Sequence, residues 1–179
     1  KEPAIIDSFD IAEKWSVETA RATAKLATNS TYAREGKASL ALSYDFTSVE
    51  EGTKAAYIVA KNPIAIPSKP KNLGVWVYGD GASNWLRGII IDGQGAKHTI
   101  DFTNQDGLNW TGWKYVTADI PVEIATPIKF DRIYVANPSS AAVGKGILYF
   151  DKLQAVYMDN HKETVYIDVA PNHWAISAI

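Results

Sequence analysis

Hydrophobic alternation with a period of two residues is the feature that most restricts how this chain can fold. Apolar residues occupy every second position in many short segments, whereas the spacing of an amphipathic helix is almost absent before residue 160. Alternation places apolar side chains on one face of a strand and polar side chains on the other. The chain is therefore predicted to be all-β. The predicted strands are 4–9, 22–27, 38–45, 55–60, 72–79, 85–92, 98–102, 114–120, 129–136 and 146–156.

Turn-forming residues separate these predicted strands. Glycine stands beside polar residues at 35–37, 79–81, 92–95 and 104–107. About ten short strands at this spacing predict a two-sheet antiparallel β-sandwich of the jelly-roll type. The length of 179 residues favours one domain, and 46% hydrophobic residues are enough to fill one core. We place the sandwich at residues 1–160, and a linker with a short C-terminal helical tail at residues 161–179.

Charge and composition exclude several classes of partner. The 18 basic and 20 acidic residues give a formal net charge of -2, with no block of like charge. The basic footprint that nucleic-acid binding requires is therefore missing. No apolar run approaches ~18 residues, so we expect no membrane insertion. The chain has no cysteine, which removes disulfide and thiol chemistry.

Strand phase predicts which side chains point away from the core. In segment 73–78 the aliphatic residues occupy every second position and should face inward, and segments 85–91, 98–102 and 129–136 follow the same logic. Laid on one sheet, the outward residues would form an aromatic surface edged by polar groups. Sugars suit such a surface, because their axial C–H faces stack on aromatic rings and their hydroxyls bond to planar polar groups. The predicted carbohydrate-binding residues are Trp76, Tyr78, Trp85, Arg87, Asp101 and Tyr134.

Other roles stay open for the aromatic residues. Trp113 is predicted to be a packing residue, and Trp15 to lie in the core or to cover one end of the sandwich. Trp110 fits either packing at a loop edge or contact with a ligand. For Trp76 and Trp85 the alternative is burial beneath a loop or in a second small core.

Six motifs occur in an order that resembles a known group. They are IDSFD at 6–10, EGKASL at 35–40, LGVWVYGDG at 73–81, NWLR at 84–87, WTGWKYV at 110–116 and ILYFD at 147–151. Together they look like the framework of jelly-roll, galactose-binding-like carbohydrate-binding modules of secreted bacterial glycoside hydrolases and phosphodiester-glycosidase-like proteins. The resemblance implies non-catalytic binding of a polysaccharide, of the β-glucan or mannan type. It also implies that a catalytic domain lies elsewhere in a longer protein.

The same resemblance implies a structural calcium ion that joins the first and last strands. Asp7 and Asp10 come from the opening segment, Asp151 comes from the closing strand, and Lys37 lies in a turn that can add backbone carbonyls. Calcium takes six to eight oxygen ligands, which such a set can supply without sulfur or imidazole. The alternative is that Asp7 and Asp151 are ordinary acids at a turn and at a strand end.

The segment YIDVAPNHWAISAI at 166–179 resembles the first turn and helix of an S-layer homology domain. That module anchors exported bacterial proteins to cell-wall polysaccharide, and a complete repeat is several times longer. We therefore expect cell-wall binding only from the complete region. We also expect this chain to be an interior piece of a longer protein on the bacterial cell surface. The alternative is an ordinary short C-terminal helix.

Evidence for catalysis in the sequence is weak. The three His residues lack a metal-ligand spacing, and no nucleophile elbow, phosphate loop or Cys nucleophile occurs. Asp92 and Asp101 are the best remaining carboxylate pair for a glycosidase, and we do not expect them to act as one. Arg87 has a plain alternative as well, a surface ion pair with Asp101. A structural or adhesive S-layer module that uses the aromatic face for protein contacts is the other open function.

Overall fold

The computed structural model describes residues 2–139 and 143–158, together with the backbone of residues 167–168. Two antiparallel sheets form a β-sandwich, and the helical content is one short 3-10 helix at Ala12–Lys14. The predicted fold class is confirmed. Within these residues no helix is long and apolar enough to cross a membrane. The strands are β1 (Ala4–Asp7), β2 (Trp15–Ala20), β3 (Thr23–Asn29), β4 (Ser39–Asp45), β5 (Lys54–Ile66), β6 (Asn72–Asp80), β7 (Trp85–Ile91), β8 (Lys97–Asp101), β9 (Thr111–Asp119), β10 (Ile128–Asn137), β11 (Lys145–Val156) and β12 (Ile167–Asp168).

The two sheets differ in size. The larger sheet has seven strands, in the order β12-β9-β6-β11-β4-β3, and β1 pairs with the second half of β11. The smaller sheet has five strands, in the order β2-β5-β10-β7-β8. Neighbouring strands in space are mostly distant in sequence, so the chain passes repeatedly between the two layers.

The core lies between the sheets and follows the predicted alternation. In β6, Leu73, Val75 and Val77 are fully buried. In β7, Leu86 and Ile90 are fully buried as well, and the strand residues between them are half-buried or small. The predicted phase of both strands is therefore confirmed.

Two strands of the smaller sheet differ most from the prediction. β2 was not expected, because its residues WSVETA show little apolar alternation. It is an edge strand with mostly exposed or half-buried side chains, and such a strand needs no strict pattern. β5 continues to Ile66, well beyond the predicted end at residue 60. The polar residues in its middle lie in an irregularity of the pairing, and the strand resumes after them.

That irregularity is a bulge shared by β5 and β10. Arg132 pairs with Val59, whereas Phe130 pairs with Ile64. Residues 60–63 of β5 therefore lie opposite Asp131 alone. Bulges of this kind increase the local twist and re-aim side chains.

A buried polar network joins the two sheets at one end of the sandwich. The side-chain amide of Asn84 donates to the Tyr44 hydroxyl at 3.2 Å, and the amide of Asn137 donates to the Asn84 carbonyl oxygen at 2.8 Å. Tyr44 in turn donates to Asp80. Burial, together with the hydrogen bond and the charge of Asp80, raises the pKa of Tyr44 well above its usual range.

β12 extends the larger sheet at its β9 edge. Ile167 pairs with Lys114, and Asp168 pairs with Trp113. The rest of the segment that resembles an S-layer homology domain lies outside the described residues, and so does the predicted C-terminal helix. The domain boundary at residue 160 stays a prediction.

Candidate functional site

The outer face of the five-stranded sheet carries one row of side chains that crosses all five strands. Backbone pairing sets each member opposite the next, and alternation along each strand turns these positions away from the core. Residues that lie directly opposite each other on one face have Cβ atoms ~5 Å apart, so neighbours in the row can touch. We call it the cross-strand row. From β2 to β8 its members are Glu18, Tyr57, Tyr134, Arg87 and Asp101.

Two tyrosines form the centre of the cross-strand row. The ring centroids of Tyr57 and Tyr134 are 4.7 Å apart, and the ring planes are tilted by 36°. Tyr57 is half-buried and Tyr134 is 8% exposed. Burial raises the pKa of Tyr134, so its hydroxyl stays protonated at neutral pH and can donate a hydrogen bond.

Arg87 is held from several directions. Its guanidinium carbon lies 3.9 Å from the centre of the Trp85 ring, and its Nε donates to Asp101 Oδ1 at 2.6 Å. Arg87 also lies directly opposite Tyr134 in the neighbouring strand, and its charge opposes the rise in the pKa of Tyr134. The ion pair with Asp101 that the sequence left as an alternative is thus present. Arg87 is 26% exposed and Asp101 is 49% exposed, so both can still contact a ligand.

A second arginine on this face repeats the arrangement. The guanidinium carbon of Arg132 lies 5.4 Å from the centre of the Tyr57 ring, its Nε donates to Asp131 at 2.6 Å, and its Nη1 donates to Glu18 at 3.3 Å. Burial alone would lower the pKa of Arg132, but the carboxylates of Asp131 and Glu18 raise it. The side chain therefore stays charged.

Sequence reasoning missed Tyr57 and Arg132 in different ways. Tyr57 follows Ala55 and Ala56 in a predicted strand whose two faces are both mostly buried, so alternation gave no reason to choose it. Arg132 lies in segment 129–136 at a position that alternation turns outward, but its aromatic neighbour Tyr57 and its acidic neighbour Glu18 come from other strands. Cross-strand register, which the sequence does not state, is the signal that identifies both residues.

Two predicted carbohydrate-binding residues lie elsewhere. Trp76 and Tyr78 belong to β6, which is part of the seven-stranded sheet, so the expectation that all six residues share one sheet is wrong for these two. Alternation fixes which face of a strand is outward, but not to which of two sheets the strand belongs. Trp76 is only 5% exposed and lies beneath Arg34, whose guanidinium carbon is 4.1 Å from the ring centre. Tyr78 stacks on Tyr32 with centroids 5.2 Å apart.

The remaining tryptophans pack. Trp113 is fully buried, and Trp15 is buried in the core with its ring 5.1 Å from that of Phe9, as predicted for both residues. Trp110 is partly buried against the core, and its Nε1 donates to the Val77 carbonyl oxygen at 3.2 Å. These contacts show that Trp110 packs at a loop edge, which is one of the two roles that the sequence left open for it.

Asp151 is the most buried of the residues expected to bind calcium. Its carboxylate is 1% exposed and accepts hydrogen bonds from the backbone N–H groups of Arg34 and Glu35, at 2.9 and 2.8 Å. Burial raises the pKa of Asp151 to about 7, and the charges of Asp10 and Glu35 act in the same direction. The two backbone N–H bonds favour the charged form of this carboxylate, and burial disfavours it more strongly.

The other residues expected to bind calcium differ in how well their surroundings suit that role. Asp7 is buried, but its carboxylate already accepts from the Phe9 backbone N–H at 2.9 Å and pairs with Lys14 Nζ at 3.3 Å. Lys37 is exposed and belongs to the same turn as Gly36. Among the residues that the structure describes, no three or more His, Cys, Asp or Glu side chains are grouped to hold a metal ion. Any calcium shell would therefore depend on backbone oxygens and on Asp10 with Asp151.

Asp92 and Asp101, the two carboxylates considered as a glycosidase pair, have different hydrogen-bond partners. Asp92 Oδ1 accepts from the backbone N–H groups of Gln94 and Ala96 in a tight turn, and Asp92 Oδ2 lies 2.7 Å from His98 Nε2. The His98 bond and these backbone bonds lower the pKa of Asp92. Asp101 lies opposite Arg87, and Arg87 precedes Asp92 by five residues along the chain. The distance between Asp92 and Asp101 along the strand direction is therefore ~17 Å. This separation exceeds the span of a glycosidase pair.

A groove of about 540 Å³ lies on the other sheet, across β3, β4 and β11. Its lining includes Lys25, Ser43, Asp45, Lys145 and Ile147. The groove lies on the opposite side of the sandwich from the cross-strand row, and none of the predicted carbohydrate-binding residues lines it.

Comparison with known proteins identifies several similar folds. A carbohydrate-binding module of the β-sandwich superfamily, studied for promiscuous specificity, superposes with a TM-score of 0.59 at 14% identity, over 84% of this chain and 59% of that one. The family 11 module of a cellulosomal cellulase of Clostridium thermocellum gives a TM-score of 0.56 at 12% identity, over 89% and 98%. The mannan-recognising module TmCBM27 gives 0.52 at 12% identity, over 89% and 97%. These likenesses establish the jelly-roll fold.

Sequence comparison gives one informative relative. A flagellar filament outer layer-like protein of Brachyspira hyodysenteriae is 29% identical over 118 residues, which cover 59% of this chain and 53% of the relative. The chain therefore spans about half the length of that protein. No protein-family model matches the chain.

Proposed function

We propose that residues 1–160 form a non-catalytic carbohydrate-binding module that binds polysaccharide or oligosaccharide through the outer face of the five-stranded sheet. The observation that carries the proposal is the cross-strand row, in which two tyrosines are flanked by arginine and carboxylate groups. Aromatic rings can stack on sugar C–H faces, and the flanking groups can bond to hydroxyls. The jelly-roll likeness to modules that bind glucan or mannan supports it.

The charge arrangement favours a neutral ligand of the β-glucan or mannan type. Each arginine of this face already has a carboxylate partner, Asp101 for Arg87, and Asp131 with Glu18 for Arg132. An acidic sugar would have to compete with these carboxylates for the guanidinium groups. A neutral sugar can accept hydrogen bonds from the guanidinium and donate to the carboxylate at the same time, without breaking either pair.

Titration calorimetry with a panel of neutral oligosaccharides tests the proposal. We expect Tyr57→Ala and Tyr134→Ala each to weaken binding of the best ligand about 5- to 30-fold, because each removes a stacking contact of ~1–2 kcal/mol. Tyr78→Ala, on the opposite sheet, is the matched control and should leave the affinity unchanged. Unchanged binding in both row variants with intact folds would show that the face is not the site.

The setting of the module is part of the same proposal. We place it outside the bacterial cell, in a longer protein that it targets to polysaccharide and whose catalytic domain lies elsewhere. The tail that resembles an S-layer homology domain would attach that protein to the cell wall only when the domain is complete. The relative from Brachyspira hyodysenteriae, named for an outer layer, is consistent with a surface location.

We also propose a structural calcium ion at the junction of the first and last strands. Asp10 and Asp151 are the residues that fit it best, and the turn at 34–37 can supply backbone oxygens, including that of Lys37. The raised pKa of Asp151 and its closeness to the charges of Asp10 and Glu35 support this assignment. Asp7 would have to exchange its contact with Lys14 for the ion.

A structural or adhesive role in a surface layer is the second candidate function. The observation that favours it is the similarity to a flagellar filament outer layer-like protein. In that case the cross-strand row would contact protein, and its loss would change assembly rather than glycan affinity. Analytical ultracentrifugation of the wild type and of Tyr134→Ala separates the two functions, because only an interface would give an oligomer that the substitution dissociates.

A further inference from the structure

The Trp85 side chain has little free surface for a sugar. One face of its ring is covered by the Arg87 guanidinium, whose carbon lies 3.9 Å from the ring centre. The ring also packs on the small cluster formed by Ala55, Tyr134 and Ala136. Its indole Nε1 is buried and has no hydrogen-bond partner among the described residues, so the N–H group is not presented to a ligand. Neither the polar edge nor the covered face can therefore bind directly.

We infer that Trp85 is a positioning residue that orients the Arg87 guanidinium, and that Arg87 is the group that touches the sugar. This inference rests on the proposed function and assigns roles within the same face. Trp85 supports the guanidinium plane from one side, while Asp101 holds its Nε at 2.6 Å. With Nε fixed in this way, the terminal N–H groups are held in a defined orientation, where they can donate to two sugar oxygens at once.

The same arrangement of aromatic ring, guanidinium and carboxylate occurs at a second arginine on this face. Arg132 lies over Tyr57 at 5.4 Å and is held by Asp131 and Glu18. In both units an aromatic ring supports the guanidinium plane and a carboxylate fixes Nε. The two units stand on either side of Tyr134, which pairs with both Tyr57 and Arg87. A sugar stacked on the tyrosine pair would therefore have an oriented guanidinium at each edge.

A double-mutant cycle measures whether Trp85 acts through Arg87. The variants are Trp85→Leu, Arg87→Gln and the double variant, titrated with the neutral oligosaccharide that the wild type binds best. We expect Trp85→Leu to weaken binding about two- to fivefold and Arg87→Gln about tenfold. The double variant should bind no more weakly than Arg87→Gln alone, because Trp85 has nothing left to orient. Trp85→Phe, which keeps an aromatic face, should restore most of the affinity.

Additive losses in the double variant would overturn the inference, because they would mean that Trp85 contacts the sugar itself. Wild-type affinity in Trp85→Leu would overturn it as well. Circular dichroism and thermal melting of each variant separate loss of fold from loss of binding.

The Arg87 Nε–H resonance of the ligand-free protein tests independently whether Trp85 orients the guanidinium. In the wild type, the Arg87 Nε–H resonance should be shifted upfield by the Trp85 ring and protected from fast exchange. Trp85→Leu should remove the shift and speed the exchange, and Trp85→Phe should retain part of both. An unaltered resonance in Trp85→Leu would refute the positioning role even if no glycan binds. If no glycan binds but the Arg87 resonance behaves as expected, only the proposed function is refuted.

Discussion

Gly74 provides the space in which the Tyr115 side chain lies across β6. A Cβ atom at residue 74 would overlap the Tyr115 hydroxyl, which accepts a hydrogen bond from the Gln154 side chain at 2.8 Å. We expect Gly74→Ala to lower the free energy of unfolding by about 1–3 kcal/mol, the usual cost of overpacking. Urea unfolding measures the change.

The matched control for this prediction removes the other half of the contact. In a Tyr115→Ala background the added methyl group has nothing to strike, so Gly74→Ala should cost little. A similar loss in both backgrounds would mean that the strand backbone, and not the Tyr115 side chain, requires glycine at residue 74.

Asp151 allows the calcium proposal to be tested at a single carboxylate. Excess chelator should lower the melting temperature of the wild type, and stabilisation should grow with free calcium as RT ln(1 + [Ca]/Kd). Asp151→Asn keeps an oxygen that can accept the two backbone N–H bonds but removes the buried charge. At pH 8 in chelator this variant should be at least as stable as the wild type, and it should not respond to calcium.

The calcium proposal fails if the wild-type melting curve is the same in millimolar calcium and in excess chelator. Asp101→Asn is the control, because Asp101 is also a strand carboxylate but pairs with Arg87 far from the chain ends. Its response to calcium should match that of the wild type.

At the scale of strands, the polar network at one end of the sandwich makes a specific prediction. Asn84 connects Tyr44 of the larger sheet to Asn137 of the smaller sheet and is 1% exposed. Asn84→Ala would remove the acceptor of the half-buried Asn137 amide and one of the two hydrogen bonds of the buried Tyr44 hydroxyl, which keeps only Asp80. We expect a loss of about 2–4 kcal/mol in the free energy of unfolding, measured by urea denaturation.

Asn62→Ala is the comparison for the network prediction, since Asn62 is exposed on the β5 bulge. A change within ~0.5 kcal/mol is expected there. Equal losses in the two variants would show that the network does not hold the sheets together.

The strands also show what alternation can and cannot predict. The inward phase of Leu73, Val75 and Val77 followed directly from the pattern, because a period of two divides residues between two faces. The pattern did not reveal β2, which is an edge strand, or the pairing that brings Tyr57 beside Tyr134. Pairing depends on contacts between segments far apart in the chain, and a single segment contains no record of them.

For the whole molecule, the balance of charge predicts weak dependence of glycan binding on salt. The formal net charge is -2, and the arginines of the binding face have carboxylate partners. Affinity for a neutral glycan should therefore change less than about threefold between 50 and 500 mM salt, because no long-range attraction is screened. Titrations at the two salt concentrations measure this. A steep loss at high salt would indicate an acidic ligand instead.

The assignment of strands to sheets limited the prediction of the site. Trp85, Arg87, Asp101 and Tyr134 do share one face, as expected. Trp76 belongs to the other layer, where Arg34 covers it. Outward phase was correct in every case, but a sandwich has two outer surfaces. The choice between them depends on the connections of the whole chain.

The bulge between β5 and β10 also indicates where this architecture can tolerate changes in length. Residues 60–63 have no one-to-one partners in β10, and only Ala60 among them pairs with β2, while Val59 and Ile64 on either side are paired with Arg132 and Phe130. Extra residues added among the exposed positions 61–63 would lengthen a protrusion without shifting the register of the strand segments on either side. Related or engineered chains can therefore acquire a new loop there, and a library of insertions at this point could diversify ligand preference while leaving the scaffold unchanged.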